Sequence, residues 1–248
     1  GVESLESYSS LFAAYTCNSA DEILPQYRAK DDIWTPFSSL PLVFVYNPKL
    51  VRAGEITGWK DLLRPELKGK IAFADPSVSG SSYTALVTML CALDGETDDI
   101  LKAFAENLDG RQLDSSGAVL SAVAGGQAFA GVTLEETASR RIAAGDELVM
   151  VYPSDGTSCV PDGSAILKGA AHEENAKLFV DFTVSEDVQK LLQERFCRRS
   201  VRGDLQTDGT LPPFGRIAQV SYDVGWASEN RESILMSWAF YLGTEETP

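Results

Sequence analysis

The chain has 248 residues, 44% of them hydrophobic and 23% charged, the proportions of a soluble globular protein with room for one large domain or two modest ones. Its 21 Lys and Arg face 36 Asp and Glu, a formal charge of −15, which excludes the broad basic face that nucleic acid or an anionic membrane requires but not a local anion site built from backbone N–H groups. One histidine and four widely spaced cysteines exclude a histidine-dependent triad, a multi-histidine metal centre and a CxxC-type zinc site.

Strand-like and helix-like segments alternate along the sequence. The opening GVESLESY is polar and shows no leader peptide, which does not argue for the cytosol. PLVFVYN (Pro41–Asn47) is a compact apolar, β-branched and aromatic run closed by Asn-Pro, a strand ending in a turn. TGWKDLLRPELKGK predicts a short helix stopped near Pro65, and KIAFAD (Lys70–Asp75) a strand ending at Pro76. After the small-residue loop SVSGSS, YTALVTMLCAL is apolar on most faces and reads as a buried helix. DDILKAFAENL is amphipathic, and DSSGAVLSAVAGG is a capped helix closed by glycines.

QAFAGVT predicts a strand, LEETASRRIAAG a helix, ELVMVYP a strand, SDGTSCVPDG a loop and SAILK a strand. HEENAKLFVDFTV and SEDVQKLLQERF come next as two helices, the first placing His172 at an exposed start. The loop RRSVRGDLQTDGTLPPFG leads to a terminal helix, ENRESILMSWAFYL, and a frayed tail, GTEETP. No window is apolar enough to span a bilayer. The rhythm predicts an α/β fold with largely parallel sheets. Cysteine pairing stays open, since four cysteines allow three connectivities.

Three hydroxyl-rich loops are candidates for binding an anion. Ser79-Gly80-Ser81-Ser82 lies between a strand and a helix, where unpaired N–H groups and the helix dipole favour phosphate, carboxylate or phosphonate. Plain N-capping needs only one of those hydroxyls. Asp114-Ser115-Ser116-Gly117 has the same form, although a cap alone also explains it. Asp155-Gly156-Thr157-Ser158 precedes no obvious helix; a turn accounts for Asp-Gly but not for the paired Thr157 and Ser158 hydroxyls. Glu135-Glu136, directly after a strand, suits the helix dipole and could also accept hydrogen bonds from ligand hydroxyls. Arg198 and Arg199 sit in a polar loop, and surface solvation is expected for at least one of them. GxSxG, P-loop, HExxH and GxGxxG are all absent, so no catalytic residue, metal ligand or cofactor site is assigned.

WKDLLRPELKGKIAFADPSVSGSSYT resembles the "W-x-D-L … GKIA-x-x-D-P … S-G-S" segment of family 1 extracellular solute-binding proteins, and VPDGSAILKGAAHEENAKLFVDFTVSEDVQKLL resembles their later strand and "NAKLFVDF … S-x-x-x-Q" helices. The loop RRSVR and the final helix also fit. The resemblance implies a two-lobe, periplasmic-binding-protein-like (type II) α/β fold with a hinge of two crossing strands, PLVFVYN and ELVMVYP–SDGTS. A terminal lobe would comprise residues 1–44 and 154–248, and residues 45–153 would form the inserted lobe. Family members open with a strand–helix–strand unit. Here the first strands of the terminal lobe are expected to be missing, exposing sheet edges that favour self-association.

The resemblance implies a periplasmic or extracellular protein, with a lipid anchor before processing allowed. It would hand a small anionic solute to an ABC transporter permease by closing its lobes. Ferric members carry adjacent tyrosines where Leu134-Glu135-Glu136 stands, which disfavours iron and favours a hexose phosphate or phosphonate. Metal binding is the alternative. Carried over, Ser79, Ser81, Ser82, Thr157 and Ser158 would contact phosphate, and Glu135 or Glu136 a hydroxyl.

Overall fold

The computed structural model describes residues 1–206, 209 and 211–243; the expected frayed tail falls outside these except for Gly243. The chain divides into two compact units. It begins in the first with helix α1 (Val2–Ser7) and strands β1 (Phe12–Ala13) and β2 (Thr35–Ser39). The second unit contains β3 (Leu42–Tyr46), β4 (Ile71–Ala72), α2 (Gly80–Ala92), α3 (Thr97–Leu108), α4 (Ser116–Ala124), β5 (Ala130–Leu134), α5 (Glu135–Ala143) and β6 (Val149–Val151). The chain then returns to the first unit for β7 (Pro161–Ser164), β8 (Ile166–Leu167), α6 (Glu173–Val184), α7 (Glu186–Phe196) and α8 (Val224–Glu229). The final helix, α9 (Arg231–Leu242), belongs to the second unit.

The boundaries fall after Leu40 and after Ser158, and residues 214–223 and 230–243 group with the second unit. This grouping differs from the expected lobe bounds at two places. PLVFVYN and the stretch through Ser158 lie wholly in the second unit, and the terminal helix leaves the terminal lobe. The physical reason is burial. All five residues of β3 are buried in the middle of a four-stranded sheet, and the loop after β6 is tied to that sheet by hydrogen bonds.

That sheet has the order β4-β5-β3-β6. β4 and β5 are parallel, whereas β3 runs antiparallel to both β5 and β6, so the expectation of largely parallel sheets is corrected. An alternating strand–helix rhythm implies parallel pairing only for strands joined by a crossover, and β3 is inserted between two strands that come later in the chain. Val43, Val45, Ala72, Ala74, Val119, Leu120, Val123 and Ala138 pack into one buried cluster against α4 and α5. Gly131 permits this closeness, because a Cβ there would lie 2.5 Å from Val119 Cγ1. Elsewhere in the unit Phe73, Phe104 and Trp238 pack together with ring centroids 5.1–5.9 Å apart.

The W-x-D-L motif is a folding device. Trp59 and Leu62 are fully buried. Asp61 accepts bonds from Thr57 N (2.8 Å), Gly58 N (3.1 Å) and the Thr57 hydroxyl (3.0 Å). Burial works to raise the Asp61 pKa, but these bonds and nearby Arg64 outweigh it and hold the carboxyl below its ordinary value.

In the first unit, two antiparallel two-stranded sheets pair β1 with β8 and β2 with β7. The S-x-x-x-Q motif explains itself here. Gln189 is fully buried, and its amide donates to Phe37 O (2.7 Å) and Thr183 O (2.8 Å) while its oxygen accepts from the Ser200 hydroxyl (2.6 Å) and Val201 N (3.3 Å). RRSVR is equally structural. Arg202 forms a fork with Asp204 (2.9 and 2.7 Å) and donates to Val184 O (2.9 Å). Arg198 bonds the Ser38 hydroxyl and Asp162, and Arg199 is only 2% exposed, which replaces surface solvation with packing. α6 and α7 leave Leu178, Phe179, Phe182, Leu191 and Phe196 exposed, as is His172. Among the described residues no cysteine forms a disulfide, and no helix is long and apolar enough to cross a membrane.

Candidate functional site

The candidate site is one edge of the second unit's sheet. β4 and β5 are parallel, and β6 runs in the same sense because both β5 and β6 oppose β3. A parallel bridge from Ala74 to Leu113 brings a further segment alongside β4, with Asp75 N donating to Leu113 O at 2.9 Å. The chain therefore leaves this edge after residues 75, 113, 134 and 151. Three of those exits lead into α2, α4 and α5. Carboxyl ends of strands facing helix N-termini are where α/β sheets take ligands.

Ser79 caps α2, its oxygen accepting from Ser82 N at 3.4 Å. The hydroxyls of Ser79, Ser81 and Ser82 form one chain, with Ser79 at 3.2 Å from Ser81 and 3.1 Å from Ser82. Ser82 is buried, whereas Ser79, Gly80 and Ser81 are half-buried. The first turn of a helix leaves N–H groups such as those of Gly80 and Ser81 directed out of the helix. Ser115 caps α4 through Ala118 N at 3.3 Å and is exposed; Ser116 beside it is half-buried.

Glu135 opens α5 at 1% exposure, with its N–H on Pro41 O (2.9 Å) and its carboxylate accepting a bond from the Tyr152 hydroxyl. Glu136 is half-buried, accepts from the Thr137 hydroxyl (3.0 Å) and has Arg140 at 3.8 Å.

The third loop does not join these groups; its polar atoms are bonded within the unit. Asp155 accepts from Trp59 N (2.7 Å), and Gly156 O accepts from the Trp59 indole N–H (2.9 Å). Gly156 adopts φ +111°, which favours glycine. The Thr157 hydroxyl donates to Leu42 O (2.8 Å), the Ser158 and Thr88 hydroxyls are hydrogen-bonded (2.7 Å), and both Thr157 and Ser158 are 0% exposed. The paired hydroxyls that looked surplus to a turn are used inside the fold.

Two residues escaped the sequence reading, Tyr152 and Thr133. Thr133 is 2% exposed, and its hydroxyl has no hydrogen-bond partner among the described residues. The signals were present: ELVMVYP ends on the tyrosine, and strict alternation in QAFAGVT puts Gly131 and Thr133 on one face. Among the described residues no group of three or more His, Cys, Asp or Glu side chains is gathered for a metal.

Residues 8–205 match the family described as "Bacterial extracellular solute-binding protein". An "Uncharacterized protein" of Haemophilus influenzae is 33% identical over 187 residues, covering 73% of this chain and 53% of that protein. "Iron uptake protein A1" of Synechocystis sp. is 26% identical over 206 residues, 77% of this chain and 57% of that protein. The chain thus spans little more than half the length of these curated relatives. Among solved structures, the periplasmic binding protein AfuA from Actinobacillus pleuropneumoniae, with exogenous fructose-6-phosphate bound, superposes with a TM-score of 0.88 at 24% identity, over 98% of this chain and 81% of that one. At that identity the likeness establishes a shared periplasmic-binding-protein fold.

Proposed function

The chain belongs to the bacterial extracellular solute-binding proteins, and from that premise we propose that it captures a small phosphorylated or other anionic solute outside the cytoplasmic membrane, a hexose phosphate or phosphonate foremost, for delivery to an ABC transporter permease. The function is binding without chemistry. One observation carries the reading: α2, α4 and α5 begin at one edge of a single sheet, two of them with serine at the cap and a further serine within the next two positions. Each N-terminus offers unpaired N–H groups and about half a positive charge, which suits an oxyanion even in a protein of net charge −15. Ser79, Gly80, Ser81 and Ser82, with Ser115 and Ser116, hold the oxyanion, and Glu135 accepts a hydrogen bond from an attached hydroxyl. Self-association through the edges of the two-stranded sheets is a secondary part of the proposal.

A ferric or other hard metal ion is the second reading. It draws on the pairing of the Glu135 carboxylate with the Tyr152 phenol, both hard oxygen donors, and on the name of the iron uptake relative. Calorimetric titration of the chain with a hexose phosphate, 2-aminoethylphosphonate, inorganic phosphate and ferric citrate separates the two. Saturable binding of a phosphate ester or phosphonate supports the proposal; saturable ferric binding with no response to any phosphorus compound refutes it.

A further inference from the structure

We propose that a cleft along α9 of the second unit binds a small zwitterion, in its simplest form an α-amino acid, separately from the serine-capped helix starts. Glu232, Leu235 and Met236 follow one another at the three- and four-residue spacing that puts them on one face of α9, and Trp238 stands three residues beyond Leu235. With Asp75 after β4 and Gln112 before α4, these residues line a cleft of about 420 Å³. That volume lies in the range in which proteins hold small molecules. The opposite wall is set by pairing at the sheet's edge, where Leu113 N donates to Phe73 O (3.0 Å) and Asp75 N to Leu113 O (2.9 Å). Phe73 and Phe104 pack against the Trp238 ring, with centroids 5.9 and 5.8 Å away, and hold it in place.

Two donors in this lining are unsatisfied. Trp238 is 2% exposed, yet its indole N–H has no hydrogen-bond partner among the described residues, and the Gln112 amide nitrogen is buried in the same condition. A buried indole normally finds a partner for its N–H, and folded proteins keep few such orphans. Both orphans belong to side chains that border one cleft. A carboxylate, with two acceptor oxygens, is the group that answers two N–H donors. The remaining polar groups have the opposite sense. Asp75 and Glu232 are carboxylates, and Asp75 accepts from Ser77 N (2.8 Å) with acceptor positions to spare. They call for a cation, while Leu235 and the exposed Met236 offer an apolar wall. No lining residue is basic, so a phosphate ester meets two carboxylates and no compensating charge. A zwitterion carries a carboxylate for the two donors and an ammonium for the two carboxylates. It has no net charge for a protein of −15 to repel.

The test is calorimetric titration of the full chain with L-leucine and L-methionine, and with isopentylamine and 4-methylpentanoate, which keep the leucine side chain and one of its two charges. Saturable binding of the amino acids is expected, with each singly charged analogue at least about tenfold weaker than L-leucine. Gln112→Leu and Glu232→Gln are each expected to weaken L-leucine binding about tenfold and to leave hexose 6-phosphate binding as in the wild type. Trp238→Phe removes the indole N–H and keeps an aromatic ring. If that buried change prevents folding, the variants at half-buried Gln112 and exposed Glu232 still decide the matter. Three results overturn the inference: no saturable binding of either amino acid, a singly charged analogue that binds as tightly as L-leucine, or L-leucine affinity unchanged in Gln112→Leu and Glu232→Gln. Hexose phosphate titrated in parallel shows separately whether the proposed function stands.

Discussion

Two loops of the second unit have nearly the same composition and opposite fates. In Ser79-Gly80-Ser81-Ser82, the first three residues stay half-exposed at the head of a thirteen-residue helix and Ser82 is buried, with the hydroxyls bonded mainly to one another. Asp155-Gly156-Thr157-Ser158 is drawn inward, where its three polar side chains and the Gly156 carbonyl meet partners from elsewhere in the unit: Trp59, Leu42 or Thr88. The difference comes from the segment downstream of each loop. A helix start supplies local donors that satisfy a serine and leave others directed outward. A loop with no helix after it must bond to the scaffold or to water. Hydroxyl content alone therefore does not identify a ligand loop.

This contrast can be broken by substitution. The largest effect is expected from Trp59→Ala, which removes a fully buried ring and the indole N–H that anchors the scaffold loop; a loss of about 3–5 kcal/mol in chemical denaturation is expected. Thr157→Ala leaves Leu42 O without its hydroxyl donor and is expected to cost about 1–3 kcal/mol, visible as a lower Tm, with solute affinity of the folded protein unchanged. If Thr157 were a ligand contact instead, affinity would fall and Tm would hold.

Ser81→Ala should give the inverse pattern: about tenfold weaker binding of a hexose phosphate and a stability change within about 0.5 kcal/mol. A large stability loss there would make Ser81 a cap like its neighbour. The smallest effect is expected at Asp61, beside the scaffold loop. Its folded pKa lies below its unfolded value, so its contribution is present above the unfolded pKa, near 4, and is lost as pH falls through the folded pKa. Asp61→Ala should cost up to about 1 kcal/mol at neutral pH and flatten the acid limb of the stability profile. An unchanged acid limb would mean that the Asp61 carboxylate does not stabilise the turn.

Much of the fold was legible. The buried run LVFVY, the helix caps Ser79 and Ser115 and the position of α5 reflect local propensity and capping, which act within a few residues. Strand direction was not legible, because the place of β3 between β5 and β6 depends on long-range pairing that a local rhythm does not encode. The same limit hid the partners of Thr157 and Ser158, which lie 115 and 70 residues away. It also hid the hydrogen bond from Tyr152 to Glu135, which joins the end of one strand to the start of α5. Motifs that marked the family, W-x-D-L and S-x-x-x-Q, are accounted for by folding: Asp61 ties a turn and Gln189 ties four backbone and hydroxyl groups.

The most direct measurement is a crystal structure of the chain soaked or grown with a hexose phosphate. The phosphate is expected on the first turn of α2, within hydrogen-bond reach of the Gly80 and Ser81 N–H groups, with a sugar hydroxyl on Glu135. A phosphate ester bound elsewhere, or a metal ion coordinated by Glu135 with α2 unoccupied, would contradict it.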